Sequence, residues 1–280
     1  MKNLRMLLCM LMGLLIGSVI GIVIANVTHS QQKKKHAQMT TTEVTATADA
    51  EKTTVSMDEL QTASDASTST DAAISEEDQP EALTAMLKRS LVSYEQLAGV
   101  DCRQLIVVDA KQEKASISMY VCGENGLWTD TGFNTEGYVG ANGVSRESYE
   151  GSRMTPAGVF PIEEAFYIED KPETGLPTFQ ITENTYWVDD VESELYNQRI
   201  ELAGEKTWKS AEHMIEYPDA YKYGFVVGYN MNPVETGRGS AIFFHIGDRA
   251  TLGCVATSEE MVLAYLKKLD ETMHPYIVIQ

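Results

Sequence analysis

Apolar and polar positions along the chain fall into stretches of different texture. From Met6 to Ala25 apolar residues run with no formal charge, about the length that crosses a bilayer as a helix, with Lys2 and Arg5 just ahead. From Gln31 to Gln79 that pattern gives way to Thr, Ser, Ala and acidic residues without one aromatic ring. Such a stretch buries too little apolar surface to offset its ordering entropy, so a disordered linker is expected. PEALTAMLKRSLVSYEQL, Pro80 to Leu97, spaces Leu83, Met86, Leu87, Leu91 and Leu97 at helical intervals and predicts one lead-in helix.

From about Asp101 the period shortens to two. QLIVVDA (Gln104 to Ala110) and ASISMYVC (Ala115 to Cys122), joined by the polar KQEK, predict a hairpin. A turn centred near Gln112 sets Cys102 and Cys122 equally far from it, facing each other across the strands. Outside the cell such a pair closes a disulfide; the other reading is two free, half-buried thiols. Further strands are predicted in TEGYVGANGV, TPAGVFPI, FQITENTYWVDD, KYGFVVGYN, GSAIFFHIG and PYIVIQ. Helical pattern is confined to a short piece around Ser210 to Ile215 and to Ser258 to Leu269. The expected fold is mainly β, a mixed β-sandwich or barrel-like domain with a few short helices. The expected organisation is a membrane anchor over residues 1–30, a linker over 31–79, a lead-in helix over 80–99 and the β domain over 100–280.

Charge narrows the choice of partner. The net charge of −19 argues against nucleic acid, whose phosphates need clustered Lys and Arg. Lys33, Lys34 and Lys35 follow the apolar run and nearly balance the cations before it, so charge alone does not orient a span. Val23, Ile24 and Ala25 keep a cleaved signal peptide open as the alternative to an anchor.

Candidate chemistry lies in AIFFHIGDRATLGCVATSEEM, Ala241 to Met261. Strand alternation puts Ala241, Phe243 and His245 on one face and Ile242 and Phe244 on the other. His245 ends the strand; Gly247 and the polar DRAT reverse the chain, and Cys254 returns it close to the imidazole. Thr257 with Glu260 forms a capping-box pattern, with Ser258 as a competing N-cap. A thiol just ahead of a helix and beside an imidazole is expected to have a lowered pKa and thiolate character. Glu259 and Glu260 oppose this. Gly253 has no side chain to block the sulfur, and the amide of Cys254 or a neighbour is placed to donate to an oxyanion. The pattern points to nucleophilic acyl chemistry, with Cys254 attacking a carbonyl and His245 moving the proton. A buried cysteine with a structural histidine fits the same pattern. A metal site built on His245, Asp248 and Cys254 lacks a convincing fourth ligand, and none is expected.

With these residues in place, the sequence resembles the L,D-transpeptidase catalytic family, the YkuD-type enzymes of the bacterial cell wall. The resemblance is carried by TPAGVFPI, YWVDD, SAEHMIEYPDAYKYGFVVGYN, GRGSAIFFHIG and TLGCVATSEEM, in that order. It implies that His245 and Cys254 are the catalytic pair and that Cys254 forms a thioester with a peptidoglycan stem peptide. It implies transfer of the acyl group to the amine of another stem, with no cofactor, by a catalytic domain outside the cytoplasmic membrane. Capture by water instead would make the enzyme an L,D-carboxypeptidase or endopeptidase. A non-catalytic wall-binding domain is the remaining reading.

The sequence departs from the family in its Thr-Leu-Gly-Cys turn. Leu252 stands where many members have a second histidine, and Ala256 replaces a polar residue. It therefore resembles a divergent branch. His213 is the candidate for a replacement imidazole. Tyr229 or Asn230, or a backbone carbonyl, is the candidate to orient His245. Arg238 is the candidate to bind a stem carboxylate, and Gly247 and Gly253 complete the expected substrate-binding or oxyanion set.

Overall fold

A computed structural model describes Gln79, Leu83, Thr84, Leu87 and residues 93–280. The expected anchor over 1–30 lies outside the described residues, as does all but the last residue of the expected linker. Among the described residues no helix is long and apolar enough to cross a membrane.

The lead-in segment is interrupted. Leu83, Thr84 and Leu87 are helical, but Ser93 is extended and opens a separate short helix, α1, Tyr94–Ala98. Ser93 and Gln96 form a capping box there, so one continuous helix over the region is not what forms. Gln79, expected to belong to the linker, is buried. Its side chain donates to the Gly126 carbonyl at 3.1 Å and accepts from the Trp128 N–H at 3.0 Å.

Strand β1, Gln104–Lys111, and strand β2, Lys114–Cys122, form the predicted hairpin. Its turn is Gln112–Glu113, with Gln112 left-handed at φ 61, and Lys111 pairs with Lys114. The turn is therefore centred between two residues rather than on Gln112. That shift sets Arg103, not Cys102, opposite Cys122, whose N–H donates to the Arg103 carbonyl at 2.8 Å. Cys102 and Cys122 are free thiols, and the disulfide reading is corrected accordingly.

The chain continues through β3 (Trp128–Tyr138), β4 (Val144–Ser145), β5 (Thr155–Pro156), β6 (Gly158–Tyr167), β7 (Thr178–Gln180), β8 (Thr185–Val188), β9 (Arg199–Glu201) and β10 (Ala211–His213). Helix α2 (Pro218–Tyr221), β11 (Tyr223–Val227), β12 (Phe243–Ile246), β13 (Val255–Thr257), helix α3 (Glu259–Lys268) and β14 (Pro275–Ile279) complete it. The large sheet runs in the order β11-β12-β13-β3-β2-β1-β14-β6-β7, and a further pairing joins β11 at one end to β6, next to the other end. Eight strands thus close into a ring, with β7 outside it. Closure removes the unpaired edges that an open sheet of this size would expose.

Alternation in the strands sorts side chains to the two faces of the ring. Ile106, Val108, Ile117, Met119, Phe225, Phe244, Val255 and Ile277 share one cluster with Val262, Tyr265 and Leu266 of α3. Fully burying each such side chain is worth about 1.5–3 kcal/mol relative to exposure. The Tyr265 hydroxyl donates to the Ile117 carbonyl at 2.9 Å, so its one polar atom is not stranded. On the other face Leu105, Val107, Tyr120 and Val278 pack under Leu83, Leu87 and Leu97. Also outside, Phe166, Val226 and Phe243 lie under Trp187, Met214 and Tyr221, and this third cluster holds Cys254.

Residues Ser210 to Ile215 form no α-helix. Ala211–His213 is β10, paired antiparallel with Tyr186–Val188, and a 3-10 turn follows over Met214–Glu216. Pairing with a distant strand overrides a weak local helical pattern. The small sheet β10-β8-β9 that results is the layer over the third cluster.

Candidate active site

Two strands and one turn bring the candidate pair to one place. β12 lies between β11 and β13, with His245 paired to Gly224 on one side and Ala256 on the other. Ala241 and Phe243 face the third cluster and Ile242 and Phe244 the first, the sorting the pattern predicted, although Ala241 is left-handed at φ 53 and the strand itself begins at Phe243. His245 shares the parity of Phe243, so it faces the same way as Cys254. Gly253 holds the turn before the cysteine at φ +154, where a Cβ would press on the Met154 carbonyl at 3.3 Å. That backbone conformation is one that L side chains rarely adopt.

Cys254 and His245 line one cleft of 1160 Å³, together with Glu212, Tyr217, Tyr221 and Leu252. Cys254 is 8% exposed, and its sulfur sits against the backbone of the segment that carries the histidine. It accepts the Phe243 N–H at 3.3 Å and donates to the Ala241 carbonyl at 3.3 Å. The Cys254 carbonyl accepts from Thr251 Oγ1 at 2.7 Å and from Thr155 Oγ1 at 3.2 Å. Thr155 Oγ1 also accepts the Gly140 N–H at 2.7 Å, so the Cys254 turn is tied to two neighbouring segments.

The resting thiol is not a thiolate. Burial pushes the Cys254 pKa well up, the Glu212 charge pushes it further, and the Phe243 N–H works weakly against both. Helix α3 does not offset this, because β13 intervenes. Three extended residues carry the chain about 10 Å from the sulfur before the helix begins. The helix is capped by Ser258, whose side chain accepts the Met261 N–H. Thr257 is occupied instead with the Glu136 carbonyl at 2.9 Å. The expected lowering of the thiol pKa is thus overturned by burial, while β13 keeps the helix end away from the sulfur.

His245 is neutral for a related reason. Burial pulls its pKa down to about 4, and the hydrogen bond to Ile246 only partly resists. The Nδ1–H donates to the Ile246 carbonyl at 2.8 Å. That bond fixes the proton on Nδ1 and leaves the Nε2 lone pair as the basic site. The backbone carbonyl, rather than Tyr229 or Asn230, therefore orients the ring. The Tyr221 ring meets the imidazole edge-on with centroids 5.3 Å apart.

Several residues singled out in the sequence lie elsewhere. Both ring nitrogens of His213 are engaged, with Glu216 at 2.9 Å and the Glu183 carbonyl at 2.8 Å, and the ring stacks on Tyr186 at 4.3 Å. Tyr229 hydrogen-bonds Ser148 at 3.1 Å and the Arg238 carbonyl. Arg238 reaches the Arg146 carbonyl at 3.3 Å and Glu235 at 3.8 Å. None of these three lines the cleft. Gly247 does line it, but its N–H donates to the Thr257 carbonyl at 2.8 Å. The Gly253 N–H is likewise committed, to Thr251 Oγ1 at 3.1 Å. Asp248 is exposed and pairs with Arg249 at 2.8 Å. Leu252 also lines the cleft and is 75% exposed.

Glu212 and Tyr221 were not singled out. The Tyr221 hydroxyl donates to Glu212 Oε2 at 2.6 Å. Burial raises the Glu212 pKa to about 7, with Asp189 and Glu150 adding to the rise and the Tyr221 hydrogen bond opposing it. The SAEHMIEYPDAY stretch contained both residues, but its signal was their nine-residue separation, which becomes a contact only once β10 and α2 fold against each other.

The ring and its cleft define a β-rich domain with a cysteine and a histidine on one wall. The L,D-transpeptidase catalytic domain (YkuD) model matches residues 103–278, more than half of the sequence, and the chain belongs to that family. Comparison with curated proteins and with solved structures returned no significant match.

Proposed function

We propose that the chain is a peptidoglycan L,D-transpeptidase working through a Cys254 acyl-enzyme. The observation that carries the reading is that Cys254 and His245 line one cleft, with the imidazole tautomer held so that Nε2 is free. As Cys254 Sγ attacks the stem carbonyl, its proton passes to His245 Nε2. The imidazolium then protonates the leaving D-amino acid, and a thioester remains. Because the resting thiol and imidazole are both neutral, proton transfer accompanies attack rather than preceding it. With the Gly253 and Gly247 amides committed elsewhere, the Cys254 N–H is the turn's candidate for the oxyanion. An amine from a second stem completes the cross-link.

Muropeptides incubated with the chain test this by mass spectrometry. Cross-linked dimers that vanish with Cys254→Ala are expected; trimmed stems alone would make the protein a hydrolase. Activity surviving in Cys254→Ala would remove the nucleophile assignment. The same reading puts the domain outside the membrane, held by the apolar run Met6 to Ala25. Protease digestion of intact cells should then remove the domain, and protection from the protease would refute that placement.

A further inference from the structure

We propose that Glu212 is the base that takes the proton from the incoming acceptor amine, and that Tyr221 is its positioning residue. The inference rests on the acyl-enzyme reading above and concerns only its second half. The geometry is a chain of contacts along one wall of the cleft. Tyr221 binds Glu212 through its hydroxyl at 2.6 Å and meets His245 with its ring at 5.3 Å. Glu212, Tyr221, His245 and Cys254 all line the same cavity. Glu212 is close enough to Cys254 for its charge to act on the thiol.

The chemistry needs a second base. An alkyl amine reaches the cleft as an ammonium, with a pKa of about 10, and is not a nucleophile until it loses a proton. His245, pulled down to about 4 by burial, is poorly suited to take it. Glu212 is a carboxylate that burial has made more basic, raised to about 7. It also carries the charge that attracts an ammonium, and Asp189 and Glu150 reinforce that charge. The other titratable groups near it are Tyr217, Tyr221 and Cys254, none of them cationic. A buried carboxylate facing an ammonium in a low-dielectric site favours passage of the proton and a neutral pair.

The step balances. The ammonium gives one proton to Glu212, and the freed lone pair forms the C–N bond at the thioester carbonyl. The adduct passes its second N–H proton to His245 Nε2. The C–S bond breaks with its electron pair on sulfur, and the imidazolium returns the proton to Sγ. Glu212 then releases its proton to solvent, so thioester and ammonium become amide, thiol and one proton.

The test uses the full chain, a tetrapeptide-stem muropeptide as donor, and two acceptors. One is the side-chain amine of N-α-acetyl-lysine amide, cationic at neutral pH. The other is hydroxylamine, whose nitrogen is already unprotonated there. In E212Q the thioester at Cys254 is expected to form no more slowly than in the wild type, because loss of the Glu212 charge removes one of the influences that raise the thiol pKa. Transfer to the lysine amine should fall on the order of 100-fold, while transfer to hydroxylamine holds within about threefold. Tyr221→Phe should show the same split with a smaller loss, and Glu212→Asp should restore part of the lysine transfer. Equal losses with both acceptors, loss of neither, or slower thioester formation in E212Q would overturn the proposal. If the wild-type chain forms no thioester at Cys254, the acyl-enzyme reading fails first, and this inference with it.

Discussion

The backbone N–H of Phe243 points at the sulfur of Cys254 from 3.3 Å, and the carbonyl of Ala241 receives the thiol proton at the same distance. The segment that presents the histidine therefore also cradles the Cys254 sulfur. The bond from Phe243 favours the thiolate, but burial and the Glu212 charge outweigh it. Alkylation of Cys254 by iodoacetamide should be slow at neutral pH and should still be accelerating at pH 9, read by mass spectrometry of the Cys254 peptide. A rate that levels off near pH 7 would mean a thiolate preformed in the resting cleft.

Glu212 and His245 make opposite contributions to stability as pH changes. The His245 pKa is depressed, so the unfolded chain binds more protons between about pH 6.5 and about pH 4, and stability falls as pH falls through that window. The Glu212 pKa is raised, so the folded chain binds more protons between about pH 4.5 and about pH 7, and stability falls as pH rises there. Glu212→Gln removes the second effect. Its unfolding free energy should exceed that of the wild type by about 1–3 kcal/mol at pH 8 and show no such excess at pH 4. Denaturant titrations at the two pH values measure the difference; an advantage independent of pH would contradict it.

Thr155 holds the Cys254 turn from a distant segment. Its hydroxyl accepts the Gly140 N–H at 2.7 Å and donates to the Cys254 carbonyl at 3.2 Å. Thr155→Val keeps the shape and removes both bonds. The stranded Gly140 amide should cost about 1–3 kcal/mol of stability in chemical denaturation. Acyl-enzyme formation should slow as the turn loosens, while Thr251 still holds the carbonyl from the other side.

Gly224 is the register partner of His245 on β11. A Cβ there would stand 2.4 Å from the Phe166 ring and 2.5 Å from the Phe244 carbonyl. Neither can retreat, one being packed between aromatic rings and the other part of the strand ladder. Gly224→Ala should destabilise the fold by about 1–3 kcal/mol, the usual range for overpacking, and lower activity by shifting β12. A variant with unchanged melting temperature would show that β12 yields more readily than its pairing suggests.

Much of the fold is legible in short-range pattern. The hairpin Gln104–Cys122, the alternation Ala241 to Phe244 and the helix after Ser258 each rest on residues close in sequence. Misreadings arise where a distant partner or a single-residue shift decides. Ala211–His213 became a strand because Tyr186–Val188 pairs with it. Cys102 and Cys122 missed each other because a two-residue turn moves the register by one. Ser93 broke the lead-in helix through a capping box that the apolar spacing hid.

The candidate site divides in the same way. Local spacing was enough to bring His245 and Cys254 to one loop, since eight intervening residues and two turn glycines leave little else possible. Their protonation states were not legible, because those depend on how deeply other segments bury them and on the strand β13 set between the sulfur and the helix. Glu212 entered the cleft only through the pairing of β10 with β8 and the packing of α2. A residue's identity and its near neighbours are written in the chain; its dielectric surroundings and distant charges exist only once the chain has closed around it.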